Sequence, residues 1–180
     1  MQKLITKLTV ISCFMFAAFN AAAIENNYKP YVGADYAYSA VSASPHYNSG
    51  RIFLGSVYNP YFGTELFYQY SDKDKINDGK IRNTSFNAYG LDLMTYLPLF
   101  NSGFAPLATA GIGQYNIKHK FVGNGNNNDH GWGFRIGGGL QYDLNDNWAI
   151  RAIARYVKTN KIDTYKHLSE YTVGLRYTFR

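Results

Sequence analysis

The segment from Glu170 to Arg180 alternates without a break. Tyr171, Val173, Leu175, Tyr177 and Phe179 are large and apolar or aromatic. Between them Thr172, Gly174, Arg176 and Thr178 are small, polar or charged. A period of two sends successive side chains to opposite faces of a β-strand, so the segment is a ribbon with two unlike faces. A helix would scatter both sets around its circumference. Such a ribbon is stable only beside other strands that carry the same division.

Seven more segments qualify. The candidates are about 30–40, 49–59, 62–72, 83–97, 104–116, 131–143, 147–158 and 169–180. Most run about ten to twelve residues, enough to cross a bilayer at a tilt. In the sixth, Trp132, Phe134, Ile136, Leu140 and Tyr142 oppose Gly133, Arg135, Gly137, Gly139 and Gln141. In the seventh, Trp148, Ile150, Ala152, Ala154 and Tyr156 oppose Ala149, Arg151, Ile153 and Arg155. Phe62, Leu66, Tyr68 and Tyr70 oppose Gly63, Glu65 and Gln69 in the third; Leu91, Leu93 and Leu97 oppose Asp92, Met94 and Tyr96 in the fourth. Ala110, Gly111 and Gly113 leave the faces of the fifth open. The connections alternate in size. Asn59 to Tyr61, Phe100 to Gly103 and Leu144 to Asp146 are tight; 41–48, 73–82, 117–130 and 159–168 are long. The run from Gly123 to Asp129 reads as disordered.

The uncharged stretch from Leu93 to Tyr115 is not a membrane helix. Pro98, Pro106 and Asn101-Ser102-Gly103 interrupt it and mark strand, turn, strand. The beginning of the chain reads differently. Lys3 and Lys7 precede an apolar stretch from Leu8 to Phe19, and Ala21-Ala22-Ala23 offers a cleavage site. This is the pattern of a secretory leader. Val10-Ile11-Ser12 before Cys13 offers a lipoprotein alternative, but a cut there leaves too short an apolar region. Cleavage after Ala23 removes 23 of 180 residues and leaves 157 as one domain, 24–180. It also removes Cys13, the single cysteine, and with it disulfides, thiol catalysis and cysteine-based zinc sites. Losing Lys3 and Lys7 lowers the formal charge of +6 by two, to +4, too mild a basicity for nucleic-acid binding.

Polarity decides which face is outside. Asp35, Glu65, Asp92, Arg135, Arg151, Arg155 and Arg176 all lie opposite the apolar residues. Eight strands enclose an interior that side chains just fill. The aromatics, among them 17 tyrosines, are too many for that volume, whereas the polar set with its glycines fits. The expectation is an all-β protein: an eight-stranded, antiparallel, up-and-down transmembrane β-barrel in an outer membrane, polar inside and apolar toward lipid. An even strand number puts both chain ends on the short-turn, periplasmic side.

Asn59-Pro60-Tyr61-Phe62-Gly63-Thr64-Glu65-Leu66-Phe67-Tyr68 resembles the second-to-third strand segment of the outer membrane protein A transmembrane domain. Tyr31-Val32-Gly33-Ala34 and Thr172 to Phe179 resemble its first and last strands. The resemblance spans nearly the whole chain after the leader, at the level of the OmpA-type and opacity-like barrel superfamily. It implies a glutamate–arginine pair that constricts the lumen, here Glu65 and Arg151. The family's second pair, a lysine and a glutamate, is replaced by Met94 and Gln141. Two-domain members carry a peptidoglycan-binding domain after the barrel; this chain resembles the barrel-only members, so that role is not expected. Family barrels end on an aromatic residue read by the insertion machinery; here Arg180 follows Phe179.

Other constellations yield weaker readings. An ion network of Glu65, Arg151 and Arg155 is either a gate or a plug that holds a narrow barrel together, and the plug is the simpler reading. Phe53, Phe67 and Ile153 on the same face argue against a wide pore. His167 and Ser169 resemble a lipid A deacylase pair, in which an acid orients the imidazole, but Glu170 should face the other way from Ser169 and the usual asparagine after the serine is missing. His46, His119 and His130 lack metal-ligand spacing. No catalytic, cofactor or metal site is expected. The basic loops suit contact with lipopolysaccharide or host surface molecules. The expected role is structural and surface-interacting, adhesin-like; the alternatives are a narrow diffusion channel and, less well supported, a lipid-modifying enzyme.

Overall fold

The computed structural model describes residues 28–41, 44–74, 81–99, 102–121, 126–160 and 167–179. Residues 1–27, which include the segment expected to be a leader, and Arg180 lie outside them. Eight strands follow in chain order: β1 (Lys29–Val41), β2 (Ser44–Asn59), β3 (Phe62–Asp74), β4 (Ile81–Tyr96), β5 (Phe104–Phe121), β6 (Asn126–Asp143), β7 (Trp148–Asn160) and β8 (His167–Thr178). Each pairs antiparallel with the next, and β8 returns to β1, closing a barrel. Tyr31 lies opposite Thr178 and Tyr38 opposite Tyr171; beyond the ladder, Phe179 N–H donates to Pro30 O at 2.8 Å. Closure satisfies the backbone of every strand from within, as a lipid environment demands.

The alternation becomes geometry. On β7, Ile150 and Tyr156 are exposed while Arg151, Ile153 and Arg155 are buried. On β8, Tyr171, Val173 and Leu175 point out, and Glu170, Thr172 and Arg176 point in. The fifth strand, left open by its small residues, turns Ala105, Leu107, Thr109 and Tyr115 inward and Phe104 and Ile112 outward.

The outer surface is layered. Val32, Ile52, Leu66, Leu91, Leu93, Ile136, Ile150, Val173 and Leu175 form an aliphatic belt. Toward the turns it is bordered by Tyr58, Tyr61, Phe62, Phe104, Tyr142, Trp148 and Phe179, and toward the loops by Tyr36, Tyr38, Tyr68, Tyr70, Tyr89, Trp132, Tyr156 and Tyr171. Aromatic rings at both margins of an apolar belt are the girdles of a membrane barrel.

Short polar side chains build the tight turns. Asn59 Oδ1 accepts from Tyr61 N–H and Phe62 N–H at 2.8 and 2.9 Å. Asn145 Oδ1 accepts from Asn147 N–H and Trp148 N–H, each at 2.9 Å. Between β4 and β5, Ser102 Oγ accepts from Phe104 N–H at 3.1 Å, and Gly103 takes a φ of 71°. These asparagine and serine contacts replace the backbone pairing lost at a reversal.

The strands outrun their expected ends on the loop side. β2 starts at Ser44, β5 reaches Phe121 and β6 begins at Asn126. Asn126, Asn127, Asn128 and Asp129, read as part of a disordered run, are instead paired with Lys120, His119, Lys118 and Ile117; Gly123 to Gly125 lie outside the described residues. Backbone pairing needs no apolar side chain, so an asparagine-rich hairpin continues a ladder its composition does not announce.

Candidate functional site

The barrel interior holds a block of paired charge. Arg51 on β2 reaches three acids: Asp35 at 3.5 Å, Glu65 at 2.6 Å and Asp92 at 3.0 Å. From β7, Arg151 Nη1 meets Glu65 Oε2 at 2.5 Å and Arg151 Nη2 meets Asp35 Oδ2 at 2.8 Å. Arg135 on β6 bridges Asp92 at 3.1 Å and Glu170 at 2.8 Å. Arg155 stands 3.3 Å from Glu170 and 3.8 Å from Asp92, and donates to Thr172 Oγ1 at 3.0 Å. Four arginines thus face four carboxylates, and none of the eight residues is more than 4% exposed.

Phenyl rings separate the guanidinium planes. Arg151 lies 3.5 Å over the Phe53 ring, while Arg135 and Arg51 lie 4.0 and 4.6 Å from the centre of Phe67. Stacking on a ring satisfies the face of a guanidinium whose edge is engaged by carboxylates. Glycine makes the room. A Cβ at Gly111 would stand 2.1 Å from Asp92 Oδ1, and one at Gly174 would stand 2.2 Å from Asp35 Oδ1. Apolar layers cap the block. Met94, Tyr96, Leu107 and Ile153 cluster toward the turns; Ala88, Tyr115, Val157 and Leu168 pack toward the loops.

Of the residues singled out in the sequence, Asp35, Glu65, Asp92, Arg135, Arg151 and Arg155 lie in this block, and Arg176 does not. Its guanidinium sits apart, 5.1 Å from the Tyr31 ring and 5.7 Å from Tyr96. Two members were missed. Arg51 has the parity of Phe53 and Gly55, and Glu170 that of Thr172 and Arg176, so the same alternation would have found both. Met94 and Gln141, which stand where the resemblance implied a second ion pair, do other things. Met94 is fully buried in the apolar layer, and Gln141 Nε2 donates to Asp143 Oδ1 at 2.8 Å.

The deacylase-like pair does not assemble a triad. His167 Nδ1 lies 2.5 Å from Tyr156 Oη, on the outer surface. Glu170 is 0% exposed and engaged by Arg135 and Arg155 inside the barrel. No acid is therefore within reach of the imidazole from that neighbour.

A closed eight-stranded barrel with an apolar belt, aromatic girdles and a charged lumen defines a class, and the comparisons agree with it. The model of the outer membrane protein beta-barrel domain matches residues 9–179. The chain belongs to this family of outer-membrane β-barrels. Its structure is similar to Neisserial surface protein A, at 18% identity and a TM-score of 0.68, over 86% of this chain and 98% of that one. It is also similar to the N-terminal β-barrel domain of Pseudomonas aeruginosa OprF: 17% identity, TM-score 0.62, over 83% and 97% of the two chains. Ail, the attachment invasion locus protein of Yersinia pestis, matches at 15% identity and TM-score 0.60, over 84% and 97%. At such identities the likeness is one of fold. No curated protein sequence matches the chain.

Proposed function

We propose that this outer-membrane barrel works at its loop end, as an adhesin-like surface protein, and that its lumen is a structural plug. One observation carries the reading: the charged block at mid-barrel is buried and balanced, so no aqueous path for solutes is lined by it. A conducting pore needs polar groups facing water, not each other. The buried block argues against the alternative of a diffusion channel, and among the described residues no acid contacts the histidine that the enzyme reading needs.

The loop end has the dimensions and the charge for contact. A strand of 18 residues such as β5 or β6 climbs roughly 45 Å at ~40° tilt, against an apolar band of about 25 Å. The excess stands beyond the membrane as a paired hairpin. Lys73, Lys75, Lys80 and Arg82 lie between or at the ends of β3 and β4, and Lys118 and Lys120 lie near the end of β5. Such cations suit lipopolysaccharide phosphates and host sulfated polyanions. Ail has been solved with the heparin analogue sucrose octasulfate, which supports this ligand class for a barrel of like fold. In this reading both chain ends and the turns face the periplasm, residues 1–23 are a leader, and the final strand ending near Phe179 is read by the insertion machinery.

The test has two arms. Purified folded protein in planar bilayers is expected to give no discrete current steps, and to bind immobilised heparin in a salt-sensitive way. Regular single-channel steps, or retention indifferent to salt, would overturn the proposal.

A further inference from the structure

The surplus charge of the interior lies in a second site. At the turn end a cavity of about 620 Å³ opens between the reversals that join β2 to β3 and β4 to β5 and the ends of β6 and β8. That size lies within the range of small-molecule sites. Its walls are largely apolar: Val57, Pro60, Tyr96, Leu99 and Phe104. Arg176 enters its lining and is 8% exposed. Its Nη1 donates to Tyr96 Oη at 3.4 Å and its Nε has no hydrogen-bond partner. Among the described residues no carboxylate lies within ion-pair distance of it. The four acids of the lumen are already matched by Arg51, Arg135, Arg151 and Arg155. Asp143 also lines the cavity, but it accepts from Gln141 Nε2, and Lys29 adds a second cation to the lining.

A guanidinium buried without a counter-charge is costly unless an anion joins it. Its planar fork fits the two oxygens of a carboxylate or phosphate. Its Nε is sealed from solvent, so a ligand would meet the guanidinium at its Nη end, and the apolar walls fit a hydrocarbon body. We infer that the turn-end cavity binds an organic oxyanion, a carboxylate or phosphate on a small apolar body, with Arg176 as the group that recognises its charge. This site is separate from the loop-end surface, and its failure would leave that reading untouched.

Phenyl phosphate is the probe, titrated calorimetrically into folded protein in maltoside micelles. Binding is expected, and Arg176→Met should weaken it about tenfold or more, with Arg176→Lys intermediate. Lys29→Met should weaken it less. Folding of each variant is checked by heat-modifiable gel mobility. Because Arg176→Met removes an unmatched buried charge, it should also unfold no more readily than the wild type in anion-free buffer. A second arm uses nanodiscs of phosphatidylcholine with or without phosphatidylglycerol. Competition by the anionic lipid assigns the ligand to a lipid headgroup; undiminished binding assigns it to a soluble anion. No binding to the wild type, equal binding to Arg176→Met, or marked destabilisation of that variant without anion would overturn the inference.

Discussion

Arg151 touches both Asp35 and Glu65, and each of those acids also faces Arg51. Sharing of this kind means that deleting one member strands charge on two neighbours. Arg151→Met is expected to lower unfolding free energy by roughly 3–5 kcal/mol, read by urea unfolding in lipid vesicles. Because Arg51 remains, adding Glu65→Gln should recover part of that loss, and the cycle measures the coupling. If the single variant unfolds like the wild type, the block contributes nothing to the fold. Glycine is as constrained as charge here. Gly111→Val would drive a side chain into Asp92 and the Leu91 carbonyl, so refolding yield should fall while Gly50→Ala, at an open position, refolds normally. Much of this interior was legible, because parity alone assigns a strand residue to one face. What parity does not tell is who meets whom. Arg51 and Glu170 carry the right parity, yet only closure brings Arg51 to Asp92 and Arg135 to Glu170, 41 and 35 residues apart.

The β5–β6 hairpin is the longest pair of strands, 18 residues each. Its inner half is written in alternation, since lipid and lumen select opposite side chains. Its outer half has water on both sides, so neither face is selected and the signal fades into Asn, Gly and Lys. That is why the strand ends were underestimated while the turns on the other side, built on Asn59, Ser102 and Asn145, fell where expected. Replacing residues 117–129 with a two-residue turn should leave the barrel folded, since Asn116 and His130 still pair. Heat-modifiable mobility should persist while heparin retention drops. Loss of folding in that variant would mean the hairpin is part of the barrel's stability and not only its reach.

At the scale of the molecule, the two tryptophans mark opposite margins of the belt. Trp132 is 59% and Trp148 43% exposed, one toward the loops and one toward the turns. Single-tryptophan variants should both be quenched most by lipids brominated near the headgroup. Strong quenching of either by bromines at the acyl terminus would contradict the girdle assignment. The charged lumen has one more consequence, for assembly. Its members come from β1, β2, β3, β4, β6, β7 and β8, so seven strands each commit at least one ionised side chain to the inside. Sliding any of them by a single residue would reverse its faces and turn that charge to hydrocarbon. An arginine at the membrane midplane costs about 2–4 kcal/mol. The interior is therefore a combination lock on strand alignment: a barrel sealed with one strand out of step is rejected by the lipid itself.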